Sequence, residues 1–326
     1  MAKEFDVVIV GGGIAGLSAG MTSARLGRST LILTGNVPGG HLLSIEKVEG
    51  LPGHPEGIPG YDLCPIMQDQ AAAAGAELMM SGVTRLDPTG TKWNVTSDQG
   101  DLVAGAVILA TGSEFRKLDV PGEERLIGNG VSHCATCDAP LLRGRIVAVV
   151  GGGDSAMQEG LTLAECVSKV ILFHRGDELT GQKYYRDRVA AHPKIEVRGN
   201  KIVSEIIGET AVTGLRIQDA KSGSISEVEI AAVFAYVGLR PNTAFVENLI
   251  GLDSAGRIPT DDLTRTELPG LLAAGTIRAR SPCRAVSAAG DGAAAAIAAD
   301  RFLADGSWSG REINRDREAL RAVAHG

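Results

Sequence analysis

Residues 5–10, Phe-Asp-Val-Val-Ile-Val, form a run of branched apolar residues with little alternation. A parallel strand buried on both faces reads this way. Residues 104–112 and 271–275 read as further buried strands, the first ending in Ala-Thr-Gly and the second in Ala-Ala-Gly. Residues 145–150, 170–175 and 233–238 read as strands of the same unit-forming kind. After residues 5–10, Gly11 to Gly16 opens a helix through about Leu26, and residues 29–33 follow as a strand. That is one βαβ unit. A second begins at 145–150, where Gly151-Gly152-Gly153 opens another helix. Residues 61–80 look helical, with β-like stretches near 77–81 and 91–96. Further strands are expected near 196–200, 203–207 and 212–219, and an alanine-rich helix over about 285–303. The Gly- and Pro-rich stretch 35–60 reads as a long loop, and loops of that length are usually functional. A polar tail follows residue 306, with a helix expected at 313–324.

This alternation predicts an α/β fold with two Rossmann-like dinucleotide-binding domains. The strand and helix of 271–303 belong with a cofactor site, so the second domain is inserted in the first. The expected domains are 1–115 with 245–326, and 116–244, joined at hinge-like crossings near 113–117 and 241–244.

Composition narrows the function. The chain has 326 residues, a formal net charge of −7 and 44% hydrophobic residues. The negative charge argues against nucleic acid or an anionic membrane as a bulk partner. No apolar run reaches the roughly 18 residues of a membrane span. The first strand begins too close to Met1 to leave room for a signal peptide, so a cytoplasmic location is expected. Of the five cysteines only Cys134 and Cys137 are close in sequence. A second Cys-x-x-Cys or a His-x-x-x-His is absent, so no metal site is expected. In an α/β chain such a pair reads as a dithiol/disulfide couple.

The chemistry rests on two glycine fingerprints and this pair. Gly11, Gly13, Ala15 and Gly16 belong to the first fingerprint; Gly151, Gly153, Asp154 and Ser155 belong to the second. Glycines allow close backbone approach, and a helix N-terminus favours the pyrophosphate charge. Two fingerprints imply a flavin and a nicotinamide, or two flavins. A thiol pair beside them implies two-electron exchange with a disulfide. Asp138 directly follows Cys137 and is placed for general acid–base work, or as a turn residue. The attacking sulfur must be a thiolate, so a lowered cysteine pKa is expected. The helix after residues 283–285 begins where a cofactor would sit.

Taken together, the chain resembles the low-molecular-weight thioredoxin reductase family over about residues 5–305. The resemblance rests on Gly11–Gly16, Gly39-Gly40-His41-Leu42, Val48-Glu49-Gly50-Leu51-Pro52-Gly53, Ala110-Thr111-Gly112, Cys134-Ala135-Thr136-Cys137-Asp138, Gly151–Ala156, Gly238 to Asn242, and Ala273-Ala274-Gly275. It implies a homodimer, with FAD held by residues of 1–115 and 245–326. The intervening domain carries the dithiol, ordinarily binds NADPH, and rotates so that the cysteines face flavin and substrate in turn. Cys137 would face the flavin, Cys134 would attack the substrate disulfide, and Asp138 would be the acid/base. The implied FAD contacts also include Gly40, His41, Leu42, Ala110, Thr111, Gly112, Gly275, Thr276, Arg284 and Ala285. The implied substrate is a thioredoxin-like protein or a small disulfide.

Several positions depart from the family pattern. The family's His-Arg-Arg with a further Arg four residues on, the 2′-phosphate site, reads His174-Arg175-Gly176 with Thr180 at the distal position, beside Asp177 and Glu178. The Asp of Ala-Gly-Asp, which contacts the flavin ribityl chain, is Thr276. Arg-Gln-Ala at the flavin edge reads Cys283-Arg284-Ala285. The Gln of Gly-Gly-Gln-Leu is His41, and the Asn of Glu-Asn-x-Pro-Gly is Gly50. These changes leave FAD expected and NADPH disfavoured, with Asp177 and Glu178 adding repulsion of a 2′-phosphate if they face the pocket. NADH or a second FAD is the expected occupant of the second site, with Tyr184 or Tyr185 as a stacking face or as ordinary helix-surface aromatics. Ferredoxin is an alternative donor, since some family members take electrons from it. The competing readings are an FAD-dependent dithiol oxidase using oxygen, an NAD(P)H-dependent thioredoxin reductase, and a non-catalytic redox-sensing flavoprotein.

Overall fold

A computed structural model describes residues 2–308. The helix expected at 313–324 lies outside the described residues. The chain forms two compact units. One comprises the chain up to Glu114 and again from Pro241, and the other is Phe115–Arg240. The fold is α/β, with the second unit inserted in the first.

In the first unit the strand order is Glu77–Met79, Thr30–Leu33, Lys3–Val10, Gly100–Leu109, Lys92–Ser97, Val83–Thr89. The first four are parallel to one another, and the last two join antiparallel. The outer edge of Gly100–Leu109 is shared. Its first half pairs with Lys92–Ser97, and residues 107–109 pair in parallel with Leu271–Ala273. The register sets Val10 beside Leu33 and Leu109, and Leu109 beside Ala273. Four strands therefore end together. Gly11, Thr34, Ala110 and Ala274 lie just past their ends, along the carboxyl edge where open α/β sheets bind ligands.

The missing alternation now has its cause. Val8, Val10, Leu31, Leu33, Val107, Leu109, Leu271 and Ala273 pack on one face of the sheet. Val7, Ile9, Ile32, Ala106, Ile108, Leu272 and Ala274 pack on the other. Helices Ile14–Arg25 and Ala285–Asp305 lie on this second side. Small residues bring those helices into close contact. A Cβ on Gly292 would be driven into the Ala15 carbonyl oxygen. Ser18 Oγ donates to the Ala289 carbonyl at 2.7 Å.

The second unit has a parallel sheet in the order Ile195–Arg198, Lys169–Phe173, Ile146–Val150, Ala232–Ala235, Val131–Ser132. Helix Asp154–Cys166 follows the second glycine turn. A three-stranded antiparallel sheet, Lys201–Ile207, Gly214–Asp219 and Ile225–Glu229, completes the unit.

Some elements differ from expectation. The helix expected over 61–80 is Gly60–Ala73. It stops because Gly75 turns at φ +102, and Glu77–Met79 then pairs as an edge strand. Val83–Thr89 and Ile225–Glu229 were not foreseen. Only Leu86 is buried in the first, and the second has no fully buried residue, so neither carries a hydrophobic period. The loop 35–60 contains the short turn of 3-10 helix Gly40–Ser44 and a bridge between Val48 and Ile58. Among the described residues no helix is long and apolar enough to cross a membrane.

Candidate active site

The first seat is built by the turn after Lys3–Val10. Gly11 has φ +118, and a Cβ there would run into the Ala110 carbonyl oxygen. A Cβ on Gly16 would strike the Gly11 carbonyl oxygen. These two glycines let the turn close against the neighbouring strand end and the helix. Gly13 caps helix Ile14–Arg25 with extended backbone, and a Cβ there would meet nothing nearer than the Gly39 carbonyl oxygen at 4.0 Å. Ala15 is buried against the core. The seat thus joins open backbone at Gly13 to a helix start, the cradle a pyrophosphate uses. The residues present fit a dinucleotide such as FAD.

The remaining residues expected around FAD come to the same unit. Gly39 and Gly40 both have positive φ. Leu42 is buried with Val48, Ile58, Leu63 and Cys64, with Ala285 packed against that cluster. Burial pushes the Cys64 thiol above its ordinary pKa. His41 Nε2 contacts the Ser113 carbonyl oxygen. Thr111 is turned to Asn242: its Oγ1 donates to the Asn242 carbonyl at 2.8 Å, and Asn242 Nδ2 donates to the Thr111 carbonyl at 3.0 Å. Gly112 has φ +69. Gly275 has φ +79, and its N–H donates to Asp291 at 3.1 Å. Asp291 is also paired with Arg278 at 2.9 Å. Thr276 Oγ1 accepts from Ser113 Oγ at 2.8 Å. Arg284, exposed, is the N-cap of helix Ala285–Asp305, and Ser287 Oγ donates to its carbonyl at 2.9 Å. Ser113, Asn242 and Asp291 were not singled out from sequence. Ser113 directly follows the Ala-Thr-Gly stretch, and Asn242 closes the Gly238 to Asn242 stretch, so position carried a signal for both.

In the second unit Cys134 and Cys137 form a disulfide with Cα atoms 5.4 Å apart. The pair sits at the start of the short helix Ala135–Asp138. Cys134 is half-buried and Cys137 exposed. The Cys137 N–H donates to Cys134 Sγ at 3.2 Å, and Ser132 Oγ accepts from the Cys134 N–H at 3.0 Å. Asp138 is half-buried, and its N–H donates to the Cys134 carbonyl at 3.3 Å. Aromatic rings support this segment. Phe115 stacks on His133 with centroids 5.6 Å apart and meets Tyr236 edge-on at 5.4 Å. His133 Nδ1 lies 2.9 Å from the Ala235 carbonyl oxygen. Burial first, and the nearby Glu159 carboxylate second, push the Tyr236 hydroxyl far above its ordinary pKa. The other cysteines, Cys64, Cys166 and Cys283, are free thiols.

The second glycine turn lies in the same unit. Gly151 has φ +146, and a Cβ there would run into the Tyr236 carbonyl oxygen. A Cβ on Gly153 would meet no atom within 4 Å, and Ser155 is exposed. The following loop folds onto the turn. The Thr180 N–H donates to the Gly152 carbonyl at 2.8 Å, and Thr180 Oγ1 donates to the same oxygen at 3.2 Å. Asp154 accepts from the Gln182 N–H at 2.6 Å and from Gln182 Nε2 at 3.0 Å. Asp154 therefore fastens this loop. His174 is buried at the end of Lys169–Phe173, and burial pushes its imidazole below the ordinary pKa. Arg175 is exposed. Asp177 is paired with Lys221, and together with Asn200 this holds its carboxyl below the usual range. Its charge is thus met locally, which weakens the expected repulsion of a phosphate. Tyr185 is buried in the core, so it offers no stacking face. Tyr184 is exposed, with the Arg188 guanidinium 5.1 Å from its ring centroid.

Comparison with known proteins places this geometry. A family model described as pyridine nucleotide-disulphide oxidoreductase matches residues 5–292. The thioredoxin reductase of Treponema pallidum (strain Nichols) is 39% identical over 303 residues, covering 93% of this chain and 98% of that protein. The thioredoxin reductase of Streptomyces clavuligerus is 40% identical over 307 residues, covering 93% and 95%. The crystal structure of Lactococcus lactis thioredoxin reductase, in its FR conformation, superposes with a TM-score of 0.90 at 36% identity, covering 92% and 99%.

Proposed function

The chain belongs to the pyridine nucleotide-disulphide oxidoreductase family, as a thioredoxin reductase-like, FAD-dependent disulfide oxidoreductase, and from that premise we propose that Cys134 and Cys137 carry two electrons between FAD in the first seat and the disulfide of a thioredoxin-like protein. The observation that carries this reading is the Cys134–Cys137 disulfide, with the Cys137 N–H aimed at Cys134 Sγ and the acid Asp138 next to Cys137 in sequence.

Bound FAD supplies the two-electron couple that opens this disulfide. The remaining steps belong to the chain. Cys134, as thiolate, attacks one sulfur of the substrate disulfide, and the other substrate sulfur leaves. Cys137 then loses its proton and attacks Cys134 in the mixed disulfide. The Cys134–Cys137 bond re-forms and the second substrate sulfur is released. Asp138 takes the Cys137 proton and returns it to the leaving sulfur. The Cys137 N–H aimed at Cys134 Sγ favours negative charge on that sulfur, which supports Cys134 as the attacking thiolate.

The second seat accepts an adenine dinucleotide without a 2′-phosphate, either NADH or a second FAD. Open backbone at Gly153 supports binding of the pyrophosphate. The loop that would meet a 2′-phosphate offers one guanidinium, Arg175, with Gly176 and Thr180, whose hydroxyl donates to the Gly152 carbonyl, at the other two positions. NADPH is therefore a poor donor.

The test is the absorption spectrum and flavin-to-protein ratio of the purified protein, followed by anaerobic titration with NADPH, NADH and reduced ferredoxin. A yellow protein with FAD bound, reduced slowly by NADPH, is expected. A colourless protein that takes up no added FAD, or rapid reduction by micromolar NADPH, would overturn the respective part.

A further inference from the structure

We propose that Ser113 is a positioning residue for the dinucleotide of the first seat: it holds the Thr276 hydroxyl so that the Thr276 proton is offered to an acceptor oxygen of the bound molecule. This rests on the reading that the first seat holds FAD.

Two of the positions that depart from the family pattern, His41 and Thr276, meet at this one residue. The Ser113 side chain serves one and its backbone serves the other. Ser113 is 4% exposed and lies four residues past the end of Gly100–Leu109, at the carboxyl edge of the sheet. Its Oγ donates to Thr276 Oγ1 at 2.8 Å. Its carbonyl oxygen faces His41 Nε2, which must therefore carry a proton and donate. The Gly40–Ser44 turn and the Gly275–Ile277 turn are thereby tied to the same point.

The direction of the Ser113 bond decides what Thr276 can do. A hydroxyl has one proton and two lone pairs. Thr276 receives the Ser113 proton, so its own O–H points elsewhere. Thr276 is half-buried, and the turn that carries it is fixed from another side, where Asp291 accepts the Gly275 N–H and is neutralised by Arg278. Ala274 and Gly275 follow Leu271–Ala273, whose end is in register with those leading to Gly11 and Ala110. A donor held rigidly at this edge matches a phosphate or hydroxyl oxygen of the dinucleotide. An ionised carboxylate at position 276 could only accept, so the recognition polarity at this point is reversed.

The experiment measures FAD affinity of the apoprotein by flavin fluorescence, for Ser113→Ala, Thr276→Val, the double variant and Thr276→Ser. The His41 contact uses the Ser113 backbone and survives Ser113→Ala. One neutral hydrogen bond corresponds to a loss of about three- to tenfold in affinity. Ser113→Ala and Thr276→Val should each weaken FAD by about that factor. The double variant should be no weaker than Thr276→Val alone, and Thr276→Ser should stay near wild type. Unchanged affinity in Ser113→Ala, or losses that multiply in the double variant, would overturn the proposal. So would a lower thermal midpoint of the apoprotein with unchanged affinity, which marks a packing role only. A wild-type apoprotein that takes up no FAD would overturn the reading of the seat itself, and this proposal with it.

Discussion

Rebuilding a 2′-phosphate site tests the donor assignment most directly. The perturbation is Gly176→Arg with Thr180→Arg. The structure admits the first change. A Cβ on Gly176 meets only the Glu178 carbonyl oxygen at 3.6 Å, an ordinary contact, and the backbone there is outside the left-handed region. The second change forfeits the Thr180 Oγ1 bond to Gly152 but keeps the amide bond to the same oxygen. Losing that hydroxyl bond costs about 0.5–1 kcal/mol. Each guanidinium–phosphate contact contributes about 1.5–3 kcal/mol, and exposure and salt put both near the low end. The net gain is roughly 2 kcal/mol, or about 30-fold in the Kd of NADPH. NADH lacks the phosphate, so its affinity should not improve. Calorimetric titration of both nucleotides at low and high salt provides the readout, with the NADPH gain shrinking as salt rises. Equal gains for both nucleotides, or none for NADPH, would refute the reasoning.

Three further outcomes are expected. Cys134→Ser and Cys137→Ser should each abolish dithiol–disulfide turnover while FAD stays bound, and Cys64→Ser, Cys166→Ser and Cys283→Ser should leave turnover largely intact; wild-type turnover in both of the first two variants would sink the dithiol assignment. Gly16→Ala should destabilise the first unit by about 1–3 kcal/mol and lower FAD occupancy, because the new methyl collides with the Gly11 carbonyl oxygen; a thermal midpoint and flavin content matching wild type would contradict it. His174 has a lowered folded pKa, so the unfolded chain binds its proton first, and stability present above the ordinary value of 6.5 is lost as pH falls toward the folded value. Unfolding midpoints measured by circular dichroism between pH 7 and 5 should show a fall that His174→Gln flattens, and an unflattened fall would remove His174 as its source.

Much of the fold was legible because both faces of the parallel sheets are buried. Runs such as 5–10 and 104–109 had no solvent face to show, so an absence of alternation located them. Two edge strands, Val83–Thr89 and Ile225–Glu229, escaped for the opposite reason. Ile225–Glu229 is held by backbone pairing to Gly214–Asp219 and has no fully buried side chain, so nothing in its residue pattern marks it. The glycine turns were readable because only glycine tolerates the contacts of Gly11, Gly16 and Gly151. The supporting residues were not. Ser113 and Thr276 are 163 positions apart, and Asp154 and Gln182 are 28 apart. A hydrogen bond between distant polar residues leaves no spacing to read. The same holds for Asp177, whose carboxylate looked like a repulsive neighbour of a phosphate until Lys221, 44 positions on, proved to be its partner.

The loss of two arginines from the second seat could mean decay of a binding site or a change of ligand. The function proposed above takes the second. A decayed site would relax the costly features first, since nothing would offset their strain. Gly151 instead keeps φ +146 against the Tyr236 carbonyl, a position a side chain cannot occupy. The loop over residues 176–182 is fastened to the turn through Thr180 to Gly152 and Gln182 to Asp154. Thr180, at the position of a lost arginine, has its hydroxyl committed to that fastening. The loop therefore lacks that guanidinium while the backbone at Gly153 stays open. On that proposal the seat would discriminate by lacking a favourable contact for one dinucleotide and keeping those common to all, which is how specificity arises as a difference of affinities. On the same proposal, a donor lacking the 2′-phosphate, or a flavin, would forgo none of the contacts that remain.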